Sequence, residues 1–493
     1  MNVPSFSLRS ASFSADSGSN HEINFLGPSA ITGQTHITIL VGANGTSKSR
    51  VLASLVDKFC ELNESRDKIF SERQYRFSPS HGLSCDVLDA QSRGTWEAIT
   101  GDTRVSMPSK VLVLSNLVMD RFRFSYNDPE DSDFYQYLGV RQATNLMTTG
   151  SLQRSVSEAL MLLGRSKEKR KLFQNWVEVV FGDVRNVALI FERCSRARLM
   201  RYLDEKNPEE VVLDRVLRSA GSARSSNEKF IDNAREAVPQ LVRLFEFLIL
   251  ASVDQGATSD VKNRQSNLLL QLENLSEKTL YELSELRSIL PWAVRGKFMS
   301  WPSVWLSESE RADWSEFSQL SSGEQNIIST GAKLIAHAEP GCLIAIDEPE
   351  VSLNTSWQQH YTDLIRQSLS LASGSHVLIA THSPHLVSSL PLGEASVLLM
   401  ERQGGELKTS TIDAEFEGWG AEAVLYQVLD IPSASSYKFQ RELAAILLHI
   451  QEGGKDKSLL DDFLNKVNRL NFEGADALNE VFSSIGKYRE SIE

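Results

Sequence analysis

The chain has 493 residues, 41% hydrophobic and 23% charged, a balance that suits one large or several smaller globular domains. No run reaches the roughly 18 consecutive apolar residues of a membrane helix, which argues against a transmembrane protein, and the polar, Ser-rich first 30 residues read without a secretory apolar segment, so a cytoplasmic chain is expected. With 51 Lys+Arg against 64 Asp+Glu the net charge is −13, the wrong sign for a protein coated with nucleic-acid-binding surface.

Strand-like runs at Phe6–Phe13, Ile23–Leu26 and His36–Val41 predict a small β region that feeds one buried strand ending in a Gly-rich turn. Val51, Leu52, Leu55, Val56 and Phe59 then recur at helical spacing, which predicts a helix over Arg50–Asn63. Residues 64–110 read as strands and loops, and Val111–Ser115 as a second buried strand. Residues 151–290 read as mostly helical, with candidates at Ser155–Leu163, Glu168–Val180, Glu210–Leu217, Lys229–Ala251 and Val261–Leu290. Trp292, Trp301, Trp305 and Trp314 follow, half of the chain's tryptophans, and are expected to form a core under the next helix.

Helix (Gly323–Ala338), strand (Cys342–Ile346), helix (Thr355–Leu371) and strands (His376–Ala380, Ala395–Met400) come next, an alternation that implies an α/β fold with a mixed, largely parallel sheet. The last 70 or so residues return to helix, split near Ile431-Pro432-Ser433. The four cysteines, Cys60, Cys85, Cys194 and Cys342, form no CxxC pair and read as ordinary thiols.

Gly42 to Ser49, GANGTSKS, lies between a predicted strand and a predicted helix. In such a loop successive backbone N–H groups of Gly42, Asn44, Gly45, Thr46 and Ser47 wrap phosphates, Lys48 reaches the β- and γ-oxygens, Ser49 ligates Mg2+, and Arg50 opens the helix. Glycine is the usual residue before the lysine, and here it is Ser47, so nucleotide binding is expected with hydrolysis in question.

Cys342 to Glu350, CLIAIDEPE, is an apolar strand that stops at paired carboxylates. Asp347 at its tip is placed to hold Mg2+, and Glu348 to polarise an attacking water. Leu320 to Gln325, LSSGEQ, opens a helix with Ser322 as the expected N-cap and Gly323 admitting a phosphate to the backbone. His382 follows the strand ending at Ala380, where an imidazole could touch a γ-phosphate, whereas His385 reads as structural.

These four motifs, in the chain order phosphate loop, LSSGEQ, Asp-Glu strand and His strand, resemble the head of ABC-type P-loop ATPases. DEPEVSLN (Asp347 to Asn354) and THSP (Thr381 to Pro384) are similar to the SMC, RecF-like and OLD-like branch, and within it to phage-defence ATPases such as those of Septu and some retron systems. VLVLSNLVMDRF (Val111 to Phe122) and the segment from Gly418 to Ser436 add weaker similarity, and Asn116 or Asp120 are guesses for the family's lid glutamine.

The resemblance implies ATP and Mg2+ as cofactors, and catalysis by Lys48, Glu348 and His382. It also implies a head-to-tail homodimer or higher oligomer in which Ser321, Ser322, Gly323, Glu324 and Gln325 of one chain meet ATP held by Lys48 of the other. A separate nuclease effector of the HNH type is an implied partner.

The expected organisation is an N-terminal part of the head (1–150), a large helical insertion (151–290), a C-terminal part of the head (291–436) and a helical tail (437–493). The tail's apolar stripes, Leu443, Ile446, Leu447 and Ile450, then Leu459, Leu460, Phe463, Leu464 and Val467, are expected either to pack on the head or to dock a partner. Residues 151–230 hold 16 Lys+Arg against 11 Asp+Glu, with clusters at Arg165–Lys171 and Arg193–Arg201, which leaves open a nucleic acid, an acidic partner or a solvated face.

Three functions compete. The first is an ATPase that senses and gates a nuclease in anti-phage defence, favoured because the chain carries no nuclease motif. The others are a DNA-repair or chromosome-maintenance ATPase that clamps DNA, and a nucleotide-binding scaffold with negligible hydrolysis.

Overall fold

The computed structural model describes residues 5–14, 20–27, 34–43, 45–67, 82–89, 92–99, 107–117, 119–123, 134–140, 149–183, 185–221, 227–253, 267–308, 314–388, 390, 394–403, 406–412, 424, 437–451, 453–467 and 476–491. The chain divides into two units, Met1–Val424 and Leu425–Glu493.

The first unit opens with β1 (Ser5–Ser14), β2 (Asn20–Asn24), β3 (His36–Val41), α1 (Lys48–Asp67), β4 (Gly82–Asp89), β5 (Ser92–Ile99), β6 (Val111–Ser115) and β7 (Tyr135–Tyr137). Next come α2 (Thr149–Leu163), α3 (Lys167–Phe181), β8 (Arg185–Phe191), α4 (Arg196–Leu203), α5 (Pro208–Ser219), α6 (Glu228–Val253), β9 (Leu268–Gln271), α7 (Glu277–Leu286), α8 (Leu290–Arg295), β10 (Ser303–Glu308) and β11 (Trp314–Glu316). It closes with α9 (Ser322–His337), β12 (Leu343–Asp347), α10 (Thr355–Ser368), β13 (His376–Ala380), β14 (Ala395–Gln403) and β15 (Glu406–Ile412).

Every residue of β3, β6, β12 and β13 is buried, as central parallel strands covered on both faces require. They form the middle of a seven-stranded sheet of order β15-β14-β3-β13-β12-β6-β7, parallel throughout except for the β14–β15 hairpin. The expected mixed, largely parallel α/β sheet is therefore present. A four-stranded antiparallel sheet of order β2-β1-β4-β5 contributes Phe6, Leu8, Ala11 and Ile23 to the core that holds Val51, Leu52, Leu55, Val56 and Phe59 of α1. Helix α1 thus shares one core with both sheets, and its N-terminus lies at the C-terminal edge of the parallel one.

A buried polar cluster fixes β13 against β3. Thr38 Oγ1 donates to Phe25 O at 2.6 Å, and His376 Nδ1 accepts from the Leu8 N–H at 2.9 Å. The 2.9 Å contact between His376 Nε2 and Thr38 Oγ1 must then be an Nε2–H donation, so the imidazole is neutral. Burial, followed by repulsion from His36, pushes its pKa well below the usual histidine range.

The region expected to be helical contains a sheet as well. Strands β8 and β9 pair with β10 and β11 in an antiparallel sheet of order β11-β10-β8-β9, so the helix expected across Val261–Leu290 does not hold at Leu268–Gln271. The run RNVALIF is short and apolar, and such a run is buried equally well as strand or helix. Arg196–Leu203, read only as a basic cluster, is a helix capped by Ser195.

Among the described residues, Trp176 on α3, outside the expected tryptophan core, is the deeply buried tryptophan, and its Nε1 donates to Ile327 O of α9. Trp292, Trp301, Trp305 and Trp314 are only half-buried. Among the described residues, no helix is long and apolar enough to cross a membrane.

In the second unit, α11 (Tyr437–Gln451), α12 (Lys457–Val467) and α13 (Asp476–Ser491) share a core of Ile446, Leu460, Phe463, Val467, Phe482 and Ile485. Much of the tail's apolar stripe is satisfied within this unit, with Leu443, Ile450 and Leu464 partly buried against it and Leu447 and Leu459 exposed. Arg489 pairs with Asp461 through two bonds of 2.6 and 3.0 Å.

Candidate functional site

The loop between β3 and α1 turns sharply where side chains are absent or small. Gly42 takes φ 154°, and a Cβ there would sit 2.2 Å from Met400 O, so only glycine lets β14 pass this close. Gly45 adopts φ 84° with open space around it. Thr46 is buried and closes the turn on Ala43 O through its N–H and its hydroxyl, at 3.3 and 2.9 Å. Ser47 takes φ 74°, the left-handed backbone that glycine adopts freely, so the departure from the usual pattern keeps the glycine-like geometry. Asn44 lies outside the described residues, and Arg50 is exposed on α1.

Lys48 is buried, and its Nζ donates to Gly42 O at 2.9 Å, to Ala43 O at 3.4 Å and to His382 Nε2 at 2.9 Å. Burial lowers its pKa to about 8, against the opposing pull of Glu348, Glu350 and Asp347. Ser49 Oγ donates to Asp347 Oδ1 at 2.8 Å, which joins the helix start to the tip of β12. Burial pushes the Asp347 carboxyl up to about 6, the Ser49 bond opposes that, and the nearby Glu348, Asp120 and Glu350 charges add to it.

Glu348 holds φ 46°, a backbone that costs a non-glycine residue about 1–3 kcal/mol and that collects at functional sites. Its N–H donates to Ala380 O at 2.9 Å, and its Oε1 lies 4.0 Å from His382 Nε2. The structure therefore brings Lys48, Ser49, Asp347, Glu348 and His382 to one edge of the sheet. Burial and Lys48 lower the His382 pKa, so its imidazole is neutral and accepts from the ammonium.

Glu350 was not read from the sequence as a site residue. Its Oε1 accepts the His382 N–H at 2.6 Å, while its Oε2 is buried with no hydrogen-bond partner among the described residues. The turn behind it is tied together by Gln358, which donates to Leu353 O at 2.9 Å and accepts from Ser383 Oγ at 2.7 Å. Asn354 is the N-cap of α10, its Oδ1 accepting from the Trp357 N–H at 2.9 Å. The His385 N–H donates to Ser383 Oγ at 3.2 Å. Asp120 accepts from the Phe122 N–H and from the Tyr137 hydroxyl, and Asn116 is half-buried after β6.

The LSSGEQ turn is built as a helix start, with Ser321 rather than the expected Ser322 as the N-cap. Ser321 Oγ accepts the Glu324 N–H at 3.3 Å and Glu324 Oε2 accepts the Ser321 N–H at 2.7 Å, a reciprocal capping box. Gln325 Nε2 donates back to Ser318 O and Leu320 O. Gly323 is buried, and a Cβ there would meet Ser352 O at 2.4 Å, so this glycine admits the chain's own backbone. Ser321 and Ser322 are exposed, and among the described residues no hydrogen bond joins this turn to Lys48 or Ser49.

The basic clusters are largely engaged within the chain. Arg165 pairs with Glu285, Arg170 with Glu277, Lys169 donates to Ala336 O and Ala338 O, and Arg198 donates to Arg193 O and Lys297 O. Arg196 is exposed.

Residues 183–388 match the family described as "AAA domain, putative AbiEii toxin, Type IV TA system". This stretch is similar to AAA-family ATPase domains. It carries α9, β12 and β13, hence the capped turn, Asp347, Glu348 and His382, while the GANGTSKS loop joins it through the pairing of β3 with β13. No curated protein matches the chain in sequence.

Among solved structures, the SMC head domain from Thermotoga maritima aligns at 11% identity and TM-score 0.33 over 84% of this chain and all of that one. An Smc head domain from Pyrococcus furiosus, bound to the C-terminal domain of ScpA, aligns at 12% and 0.30 over 83% and 96%. An ATP-binding cassette of an ABC transporter in its ADP conformation aligns at 11% and 0.30 over 88% of this chain and all of that one.

Proposed function

We propose that the chain binds and hydrolyses ATP at the Lys48 site, and that a second copy of the chain completes the site with its Ser321, Ser322 and Gly323. The observation that carries this reading is the convergence of Lys48, Ser49, Asp347, Glu348 and His382 at the edge where α1 begins. The residues fit the ligand. Lys48 now spends its donors on carbonyls and an imidazole, the kind of acceptor a phosphate oxygen replaces. The Ser49 hydroxyl faces Asp347, whose Oδ2 is buried with no hydrogen-bond partner among the described residues, and a hydroxyl with a carboxylate is the hard oxygen set that Mg2+ takes. When bound there, Mg2+ would offset charge on the β- and γ-phosphates.

The protein's own groups then divide the work. The α1 N-terminus and Lys48 hold the phosphates, Glu348 orients and polarises the attacking water, and neutral His382 contacts the γ-phosphate, whose presence it reports through the loop after β13. The exposed start of α9, a 16-residue helix, offers the Ser322 N–H and the hydroxyls of Ser321 and Ser322 to a partner's ATP. ATP bound between copies stabilises their pairing, and hydrolysis releases it.

In the fuller reading, this cycle makes the chain a sensor and scaffold for a separate HNH-type nuclease in anti-phage defence. The support is the motif order in the sequence, together with a family description that names a putative toxin of a type IV TA system. Phosphate release by the full chain tests the ATPase: Glu348→Gln should abolish turnover while keeping ATP binding, and Lys48→Ala should lose binding. Turnover that survives Glu348→Gln would refute the assignment.

A further inference from the structure

The Lys48 site is short of positive charge for a nucleoside triphosphate. Among the described residues Lys48 is the one cation at the loop's centre, and three carboxylates, Asp347, Glu348 and Glu350, act on that ammonium. Mg2+ and the positive end of α1, worth about half a charge, leave the polyphosphate incompletely neutralised.

A second cation stands beside the loop. Strand β14 runs parallel to β3 with Leu399 opposite Val41, so Arg402 lies past the C-terminal end of β3, level with the phosphate loop. Leu398 and Met400 are buried in the core beneath α1, and the period-two alternation of a strand puts Arg402 on that same face. The strand also touches the loop, because Met400 O fills the space where residue 42 would carry a Cβ.

Arg402 is exposed, and its Nη2 donates to Ser47 Oγ at 3.3 Å, its only hydrogen bond among the described residues. Ser47 is the residue that replaces the customary glycine. Its backbone keeps the glycine-like φ of 74°, and its added hydroxyl is spent on this arginine. A guanidinium held by one N–H keeps its remaining donors for a bidentate phosphate contact.

We propose that Arg402 binds the polyphosphate of the nucleoside triphosphate held at the Lys48 loop, with the Ser47 hydroxyl holding the guanidinium at the loop. The inference rests on the ATP-binding reading above.

The test is equilibrium binding of a fluorescent ATP analogue with Mg2+ to the full chain and to the Arg402→Gln, Arg402→Lys, Ser47→Gly, Ser47→Gly/Arg402→Gln and Lys48→Ala variants. Arg402→Gln should weaken binding roughly ten- to a hundredfold, the range of a charged hydrogen bond to phosphate, and Arg402→Lys should fall between it and the wild type. Exposure of Arg402 predicts unchanged thermal unfolding without nucleotide. The penalty for losing Arg402 should persist in the Ser47→Gly background, where the arginine still reaches phosphate.

If Arg402→Gln binds within about twofold of wild type while Lys48→Ala fails, the arginine contact is wrong and the ATP site stands. A penalty that vanishes in the Ser47→Gly background reduces Arg402 to loop support and overturns the proposal. Wild-type binding by Lys48→Ala removes the ATP-site reading itself, and this inference with it.

Discussion

Removing Glu350 should uncouple His382 from the Lys48 site without dismantling the phosphate loop. Its Oε1 takes the His382 N–H at 2.6 Å, a bond to a charged acceptor that contributes about 1.5–3 kcal/mol net. Glu350→Ala withdraws that bond and leaves the N–H at the end of β13 without its acceptor. The rest of the loop keeps Thr381 N–H on Leu40 O at 3.1 Å, Ser383 N–H on Thr381 Oγ1 at 2.9 Å and Ser383 Oγ on Gln358 at 2.7 Å, so the loss should be local. His382 Nε2 lies 2.9 Å from Lys48 Nζ, and a displacement of about 1 Å among reacting groups costs on the order of a hundredfold. We therefore expect kcat to fall roughly ten- to a hundredfold in Glu350→Ala, with ATP affinity within about threefold of wild type, because Lys48 keeps its place against Gly42 and Ala43.

Glu350→Gln keeps an acceptor oxygen and should lose only a fewfold in rate, but it removes one of the charges that hold the Lys48 pKa up. Lys48 binds phosphate in its protonated form, so wild-type kcat/KM should decline above about pH 8, and in Glu350→Gln that decline should begin at lower pH. Phosphate release measured from neutral to alkaline pH reads both effects. Wild-type kcat in Glu350→Ala, or a break that moves upward in Glu350→Gln, would refute the reasoning.

Lys333 is buried on α9 with its Nζ on Leu138 O at 3.0 Å, and burial lowers its pKa from 10.5 to about 7. The unfolded chain then binds one more proton than the folded one between those values, so stability rises with pH across that window and is lowest below about pH 7. Lys333→Met should stabilise the protein at neutral pH by the order of 3 kcal/mol, from about 1.4 kcal/mol per decade of displaced ionisation less the cost of the unpaired carbonyl, and the gain should shrink toward pH 10 in urea titrations. A gain independent of pH would contradict the assignment. Gly323→Ala forces a methyl against Ser352 O and should cost about 1–3 kcal/mol in thermal unfolding while ATP still binds at Lys48. Unchanged unfolding would show that the approach of Ser352 to the capped turn is not tight.

The parallel sheet was legible because its strands are short apolar runs ending in glycine or paired acids, and these mark both strand and site at once. His36–Val41, Val111–Ser115 and His376–Ala380 match their expected bounds, and the residues after β3, β12 and β13 converge as their order implied. The sheet of β8 to β11 was not legible, since LLLQ at Leu268–Gln271 has no pattern to separate strand from helix and its partner strands lie far away in sequence. Ser321 rather than Ser322 caps α9 because the Glu three residues later selects the capping-box position, a signal present in LSSGEQ. Glu350 escaped notice because its role is to hold a backbone N–H 32 residues away, a contact that spacing alone does not mark. The tail's apolar stripe looked unpartnered because α13, which supplies Phe482 and Ile485, was not separated from the rest of the tail.

Whether two copies share each ATP can be read from the solution mass of the Glu348→Gln chain with Mg2+ and ATP, measured by light scattering. ATP should double the mass, and adding Ser322→Arg at the exposed helix start should return it to that of one chain while ATP stays bound. A single-chain mass for Glu348→Gln with ATP bound at Lys48 would contradict that sharing.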